Sequence, residues 1–197
     1  MSICELPQRI TVKEIALHLI DLAENSVSAN AKTIHIRVAE DFRTDQLSVS
    51  VEDDGKGMNE ETVEQLSNPF YTSRTTRNVG LGIPLLKEQA EGCNGRLNIS
   101  SRPGAGTKVE AFFQHSHIDR MPLGHLPSTF LTLEVAHPEI HWVFTYSYQP
   151  PFKGSPRIYE FDDQPVKETL DGLSLTHPDV ITFLRSSLEE GIAEARK

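Results

Sequence analysis

The stretch Leu47-Ser48-Val49-Ser50-Val51-Glu52-Asp53-Asp54-Gly55-Lys56-Gly57-Met58 decides the fold of this chain. Its first half alternates apolar and polar residues, which is typical of a half-buried β-strand. Its second half ends that strand with a carboxylate and two glycines, so a flat ring has room to lie against the backbone. The alternation in Ile34-His35-Ile36-Arg37-Val38 predicts an antiparallel partner strand, joined through the polar turn at 40–46.

Outward from this hairpin, apolar residues at helical spacing predict a helix at 12–28, where Ile15, Leu19 and Leu22 share one stripe. The same patterns predict further helices and strands at 60–66, 81–91, 96–100 and 108–113. These elements indicate an α+β fold, a two-layer sandwich in which helices cover one face of a mixed, mostly antiparallel sheet.

The chain divides into three regions in this interpretation. Residues 11–113 carry the elements above and form the first domain. Residues 114–127 form a connector whose histidines, at 115, 117 and 125, we interpret as solvated, with metal binding as the alternative. Residues 128–197 predict a small C-terminal α+β subdomain. Its predicted elements are a helix at 128–136, hairpin strands at 141–148 and 157–162, and helices at 166–170 and 179–195.

The composition narrows the classes of function. The chain has 197 residues and a formal net charge of -9, which argues against a general nucleic-acid binder. Cys4 and Cys93 lie far apart and predict two free thiols in a reducing compartment. Neither a signal peptide nor an apolar run of the ~20 residues that cross a bilayer is visible. We therefore expect a soluble cytoplasmic protein that binds neither nucleic acid nor a membrane.

The motif Asp21-Leu22-Ala23-Glu24-Asn25-Ser26 lies on the first predicted helix. The carboxamide oxygen of Asn25 is a hard ligand suited to Mg²⁺, and an exposed helical asparagine is the alternative. Asp21 lies one helical turn earlier, so both side chains project to the same face. Its carboxylate could orient or deprotonate a water, or it could simply pair with a lysine at the surface.

Three other motifs have the residue types that bind the adenine and the phosphates of a nucleotide. Asp53 at a strand end can accept from the exocyclic amine of adenine, although an Asp-Gly turn alone would need the same residues. Gly80-Leu81-Gly82 opens a predicted helix whose N–H groups and dipole favour phosphate, or it is only a helix start. Arg74 and Arg77 follow the aromatics of Asn68-Pro69-Phe70-Tyr71-Thr72-Ser73-Arg74 and could clamp phosphates, or be solvated. Together these motifs predict a site for ATP and Mg²⁺.

The order and spacing of these motifs, with Gly104-Ala105-Gly106-Thr107, resemble the histidine-kinase-like ATPase superfamily over residues 11–113. That superfamily includes DNA gyrase, Hsp90, sensor histidine kinases and MutL, and the resemblance implies its Bergerat-type ATP-binding fold. It implies that Asn25 binds Mg²⁺ and that Asp53 binds adenine. The ATP-binding residues that it implies are Asn25, Asp53, Gly55, Gly57, Met58, Phe70, Tyr71, Thr72, Arg74, Arg77, Gly80, Leu81, Gly82 and Thr107.

The chain departs from the superfamily in two places. Gyrase, Hsp90 and MutL carry a catalytic glutamate four residues before the asparagine, whereas this chain has the shorter Asp21. The segment between Phe70 and Gly80, where the superfamily has a longer lid, is short, so we expect fast nucleotide exchange. The motifs at 54–58 and 69–72 resemble the sensor-kinase branch.

Three functions fit the resemblance. The first is a stand-alone regulatory protein, similar to a sensor-kinase catalytic domain, that transfers the γ-phosphoryl group to a partner docked on residues 128–197. About ten residues precede the first helix, so we expect no phosphoacceptor domain there, and we assign His18 a core or surface role. The second function is an ATP-hydrolysing switch that uses Asp21, and the third is a non-catalytic ATP sensor. The resemblance implies a bacterial partner that is response-regulator-like, anti-sigma-type or a redox enzyme, and it leaves a homodimer open.

Overall fold

The computed structural model describes residues 14–67, 82–170 and 173–197. Each predicted helix and strand is present, with ends that differ from the prediction by a few residues. The elements are α1 Ile15–Ser28, β1 Thr33–Asp41, β2 Gln46–Asp53, α2 Glu60–Ser67, α3 Gly82–Gly92, β3 Arg96–Ser101, β4 Thr107–Gln114, α4 Leu126–Ala136, β5 His141–Gln149, β6 Arg157–Asp162, α5 Gln164–Thr169 and α6 Pro178–Arg196.

The six strands form one sheet in the order β3-β4-β2-β1-β5-β6. All neighbouring strands are antiparallel except β1 and β5, which run parallel. Buried residues alternate along β1 and β4, and they belong to the same hydrophobic core as the apolar faces of α1, α3, α4 and α6. The helices therefore cover one face of a mixed sheet, and the predicted two-layer α+β fold is confirmed.

The C-terminal segment is part of this same sheet, which differs from the prediction of a separate subdomain. Strand β5 pairs along β1, with Ile34 beside Trp142, and β6 pairs with β5 as the predicted hairpin. Phe130 of α4 and Leu184 of α6 lie in the one core. The alternation of β5 predicts a strand, but it carries no information about which existing edge that strand will join. The boundaries at 113 and 128 thus divide a continuous sheet.

The turns between the first elements depend on residues that tolerate a left-handed backbone. Asn30 between α1 and β1, Asp45 between β1 and β2, and Asn94 before β3 have φ angles of 60°, 54° and 55°. Short Asn and Asp side chains occupy this region far more readily than β-branched residues do. These three positions therefore help to fix how α1 is joined to β1, β1 to β2 and α3 to β3.

The interpretation of the connector histidines as solvated is wrong for His115, whereas His125 is exposed as expected. The side chain of His115 is only 14% exposed, and its Nε2 lies 2.9 Å from Oε2 of Glu40. Nδ1 of His125 accepts from the backbone N–H of Ser128 and caps α4. His18 is buried in the core-facing side of α1.

Among the residues that the structure describes, no helix is both long enough and apolar enough to span a membrane.

Candidate nucleotide site

A cavity of about 250 Å³ opens between α1, the ends of β2 and β4, and the segment that leads into α2. Its walls are mostly apolar, and most of its polar groups lie on α1 and at the ends of β2 and β4. The lining residues are Leu22, Asn25, Ser26, Ser28, Ala29, Val51, Asp53, Lys56, Gly57, Met58, Thr62, Leu66, Ile83, Thr107 and Val109. A mostly apolar cavity with a few convergent polar groups is the usual form of a small-molecule site.

Asp53 is the buried carboxylate of this cavity, and three donors hold it. Oδ1 accepts from the backbone N–H groups of Gly55 at 2.9 Å and Thr107 at 3.3 Å. Oδ2 accepts from the hydroxyl of Ser26 at 2.6 Å. An ionised carboxylate only accepts hydrogen bonds and has about four lone-pair sites, so one remains for a donor in the cavity.

The pairing of β2 with β4 places these residues. Asp53 lies opposite Thr107, and two residues back along β2, Val51 lies opposite Val109. Side chains alternate between the two faces of a strand, so all four residues point to the helix-covered face. The same register therefore supplies both the acceptor and the apolar wall beside it.

Gly57 and Met58 connect the motif at 53–58 to the turn at 104–107. Gly57 has a φ of 62°, and a Cβ built on it would lie 1.9 Å from the carbonyl oxygen of Arg102, so a larger residue does not fit. The N–H of Met58 donates to the Ser101 hydroxyl at 2.8 Å, and that hydroxyl donates to the Gly106 carbonyl. The Ser101 and Thr107 hydroxyl oxygens lie 2.9 Å apart. This network aligns the cavity wall with the turn at 104–107.

Asp54 has a structural contact instead of a place in the cavity. Its Oδ1 accepts from the N–H groups of Lys32 at 2.6 Å and Thr33 at 3.0 Å. Partial burial works to raise the pKa of Asp54, but the hydrogen bonds from Thr33 and Lys32 outweigh it and lower the pKa below its usual range. The two adjacent aspartates thus have different tasks, because one faces the cavity and the other anchors the start of β1.

Asn25 and Asp21 lie on α1 as predicted, one turn apart. Asn25 is half-buried and lines the cavity, whereas Asp21 is exposed and packs against Gly82 at the start of α3. An amide oxygen at the cavity rim is a donor that Mg²⁺ accepts together with water and phosphate oxygens. Glu24, between them, is paired with His137, whose Nε2 lies 2.9 Å away. The residues present therefore fit a Mg²⁺ ion held by Asn25.

Several predicted site residues lie outside the described residues. They are Phe70, Tyr71, Thr72, Arg74, Arg77, Gly80 and Leu81. Of the predicted site residues that the structure describes, Asn25, Asp53, Gly57, Met58 and Thr107 line the cavity directly. The backbone N–H of Gly55 contacts Asp53, and Gly82 contacts Asp21.

Sequence reasoning missed several residues of the cavity. Ser26 directly follows Asn25, the proposed metal ligand, and Val51 is two residues before Asp53 on the same face of the strand. Both could therefore have been predicted from the local sequence. Ser101, which does not line the cavity but bonds the backbone of Met58, had no local signal, because its role depends on a register that only the folded sheet defines. The remaining missed residues that line the cavity are Leu22, Ser28, Ala29, Lys56, Thr62, Leu66, Ile83 and Val109.

Comparison with known proteins identifies relatives of the part of the chain that holds the cavity. The sensor histidine kinase YvrG of Bacillus subtilis is 35% identical over 100 residues, which cover 49% of this chain and 17% of that protein. The sensor protein kinase FleS of Pseudomonas aeruginosa is 38% identical over 89 residues, which cover 45% and 22%. The chain thus spans about a fifth of the length of these curated relatives.

The fold has a counterpart among solved structures. The N-terminal domain of a DNA repair protein superposes with a TM-score of 0.50 and 15% sequence identity, covering 75% of this chain and 52% of that one. At this identity the likeness concerns the fold alone. The family described as histidine kinase-, DNA gyrase B- and HSP90-like ATPase matches residues 9–117. Since this match covers more than half of the chain and includes every cavity residue, the chain belongs to that family of ATPases.

Proposed function

We propose that this chain is an ATP-binding regulatory protein that transfers the γ-phosphoryl group of Mg-ATP to a partner protein. One observation carries the proposal: the buried carboxylate of Asp53, held by three donors, lies in an apolar cavity at the end of β2. Its remaining lone pair suits the 6-amino group of adenine, and the walls formed by Val51, Met58 and Val109 suit the purine ring.

The phosphates in this proposal extend from the cavity along α1 towards α3. Asn25 would hold Mg²⁺, and the ion would neutralise negative charge on the phosphates. In this proposal Arg74 and Arg77, which the sequence predicts as charge-assisted donors, clamp the phosphates, and the N-terminus of α3, which begins at Gly82, favours an anion. Catalysis then depends on positioning and charge neutralisation, since phosphoryl transfer needs little covalent chemistry from the protein.

The partner in this proposal is a protein of a bacterial regulatory system, response-regulator-like, anti-sigma-type or a redox enzyme, in the cytoplasm. Sensor kinases among the relatives support phosphoryl transfer over other uses of ATP. Residues 128–197 dock the partner in this proposal, because they supply the edge strand β6 and the exposed side chain of Phe183. A homodimer is compatible with this arrangement.

A second candidate is an ATP-hydrolysing switch, and the placement of Asp21 favours it. Asp21 lies one turn before Asn25 and against the start of α3, where a terminal phosphate would lie. A carboxylate there can orient the attacking water. A non-catalytic ATP sensor is the third candidate, and it needs Asp53 but not Asp21.

One set of measurements separates these candidates. ATP binding is measured by calorimetry with Mg²⁺, phosphate release is followed with Asp21→Asn as the control, and labelled ATP is added with co-purified proteins. Labelling of a partner without phosphate release supports the kinase, whereas phosphate release lost in Asp21→Asn supports the switch. Binding with neither activity supports the sensor. Absence of ATP binding by the wild-type chain would overturn all three.

A further inference from the structure

Ser26 is buried beside Asp53 on the wall of the cavity, and no superfamily motif quoted above gives it a role. We infer that Ser26 is a specificity-determining residue that orients Asp53. With Ser26 in place, the part of the cavity that contacts the base accepts hydrogen bonds from the base but donates none. This inference rests on the proposed function, since it concerns the base of the same nucleotide. It assigns to Ser26 the selection of purines with a 6-amino group over purines with a 6-oxo group.

The direction of the hydrogen bond follows from the chemistry of the two groups. The Ser26 hydroxyl lies 2.6 Å from Oδ2 of Asp53 and 3.4 Å from the carbonyl oxygen of Leu22. An ionised carboxylate has no hydrogen to donate, so at 2.6 Å the hydrogen belongs to Ser26 and points at Asp53. The hydroxyl hydrogen is therefore used, and the Ser26 oxygen presents only lone pairs to the cavity.

The hydroxyl also fixes the orientation of the carboxylate. Gly55 and Thr107 both donate to Oδ1, and Ser26 donates to Oδ2. Without Ser26, Oδ2 would have no partner among the contacts described for Asp53. A carboxylate held at both oxygens is hindered from rotating about its Cβ–Cγ bond. Both Ser26 and Asp53 are less than a tenth exposed, so water competes weakly for these contacts.

The consequence for the base is a matched pattern of donors and acceptors. A 6-amino group donates to this edge, whereas a 6-oxo group would place an acceptor against two acceptors and leave buried groups unpaired. Sites built to bond one polar group reject the analogue that lacks it far more strongly than apolar pockets reject a methylene. Ser26 is thus a positioning residue, since it acts on the base through Asp53.

The test compares three triphosphates on the full-length chain with Mg²⁺: ATP, purine riboside triphosphate, which lacks the 6-amino group, and GTP. Ser26→Ala is expected to weaken ATP binding roughly tenfold, the scale of a hydrogen bond to a charged group. Binding of purine riboside triphosphate should change less than about threefold, and the preference for ATP over GTP should fall by a similar roughly tenfold factor.

Three variants complete the design. Ser26→Thr keeps the hydroxyl and should keep the preference for ATP, and Ser26→Cys keeps the volume with a weaker donor, should Ser26→Ala fail to fold. Ser50→Ala removes a buried serine from the open face of the same strand as Asp53 and should leave all three affinities unchanged.

The outcomes separate this inference from the function on which it rests. Equal losses for ATP and purine riboside triphosphate would show a merely structural role for Ser26, and unchanged ATP affinity would show no role. Either result overturns this inference while wild-type ATP binding stands. A wild-type chain that binds no triphosphate overturns both.

Discussion

The side chain of Asp21 packs against the backbone of Gly82, where α1 meets the start of α3. A Cβ built on Gly82 would lie 3.1 Å from Cβ of Asp21 and 3.3 Å from its Oδ2. Both distances are shorter than ordinary van der Waals contacts, so a side chain at position 82 would displace this carboxylate. The carboxylate of Asp21 therefore lies beside the N-terminal residue of α3.

This contact gives the first prediction. For the second candidate, the ATP-hydrolysing switch, Asp21→Asn should reduce phosphate release roughly tenfold or more while ATP affinity changes little, because the amide cannot take a proton from water. Gly82→Val should reduce release as well, since it moves an intact carboxylate. Steady-state phosphate release and calorimetric titration measure the two effects. Release that is equal in all three proteins would show that Asp21 has no part in it.

The adjacent aspartates give the second prediction. Asp53→Asn should weaken ATP binding by roughly 10- to 100-fold, because it removes a charged acceptor and adds donors opposite the 6-amino group. Asp54→Ala should leave the affinity within about twofold but lower the melting temperature, because Lys32 and Thr33 lose their acceptor. Calorimetry and thermal melting on both variants distinguish the roles. Equal affinity losses would contradict the division of tasks described above.

The third prediction concerns Glu134, which is fully buried on α4 with no hydrogen-bond partner for either oxygen among the described residues. Burial, with the nearby Asp163, raises the pKa of Glu134 to about 8 against the opposing effect of Lys167. Its ordinary pKa is 4.5, so the folded chain holds a proton that the unfolded chain releases between these values. Stability that is present below pH 4.5 is therefore lost as the pH rises to about 8.

Glu134→Gln should remove most of that loss. We expect the variant to melt at a higher temperature than the wild type at pH 8 and at a similar temperature at pH 5. Part of the decrease in melting temperature with rising pH should remain in the variant at lower pH, because burial also raises the pKa of Asp163. Melting temperatures from pH 5 to pH 9 test this, with the exposed Glu190→Gln as control. Parallel curves for wild type and Glu134→Gln would refute the assignment.

The fourth prediction concerns the end of α6. The hydroxyl of the buried Tyr146 donates to Glu40 and accepts from Nε of Arg196 at 2.6 Å, and Arg196 also donates to Glu40 at 2.7 Å. Tyr146→Phe should lower the free energy of unfolding by about 1–2 kcal/mol, because two partners lose a buried contact. Chemical denaturation measures it. Tyr148→Phe is the control. The ring of Tyr148 contacts Phe42 and Arg157, and phenylalanine keeps that ring, so this variant should change stability less.

The fifth prediction concerns a truncated variant, residues 1–117, that stops where the family match ends. It lacks β5, so β1 becomes an exposed edge, and it lacks the core residues of α4 and α6. We expect this fragment to aggregate or to show no cooperative melting, while the full chain melts cooperatively. A soluble fragment that binds ATP and melts in one transition would contradict the single-core description.

Much of the fold follows from local patterns in the sequence. Alternation at 34–38 and 47–51 predicts the first hairpin, and the helical stripe through Ile15 and Leu19 predicts α1, because both patterns report burial of one face. The partner of β5 could not be predicted, since pairing with β1 is a contact between distant segments. In the site, Asp53 and Asn25 carried recognisable motifs. The contacts of Ser101 and His115 depend on the folded register and had no local signal.

The parallel pairing of β1 with β5 also sets an order for folding during synthesis. Residues 33–41 leave the ribosome well before their partner at 141–149. At ordinary rates of translation, about 5–20 residues per second, β1 waits roughly 5 to 20 s with one side unpaired. The nascent N-terminal half therefore holds an open template for misassociation until the last third of the chain arrives.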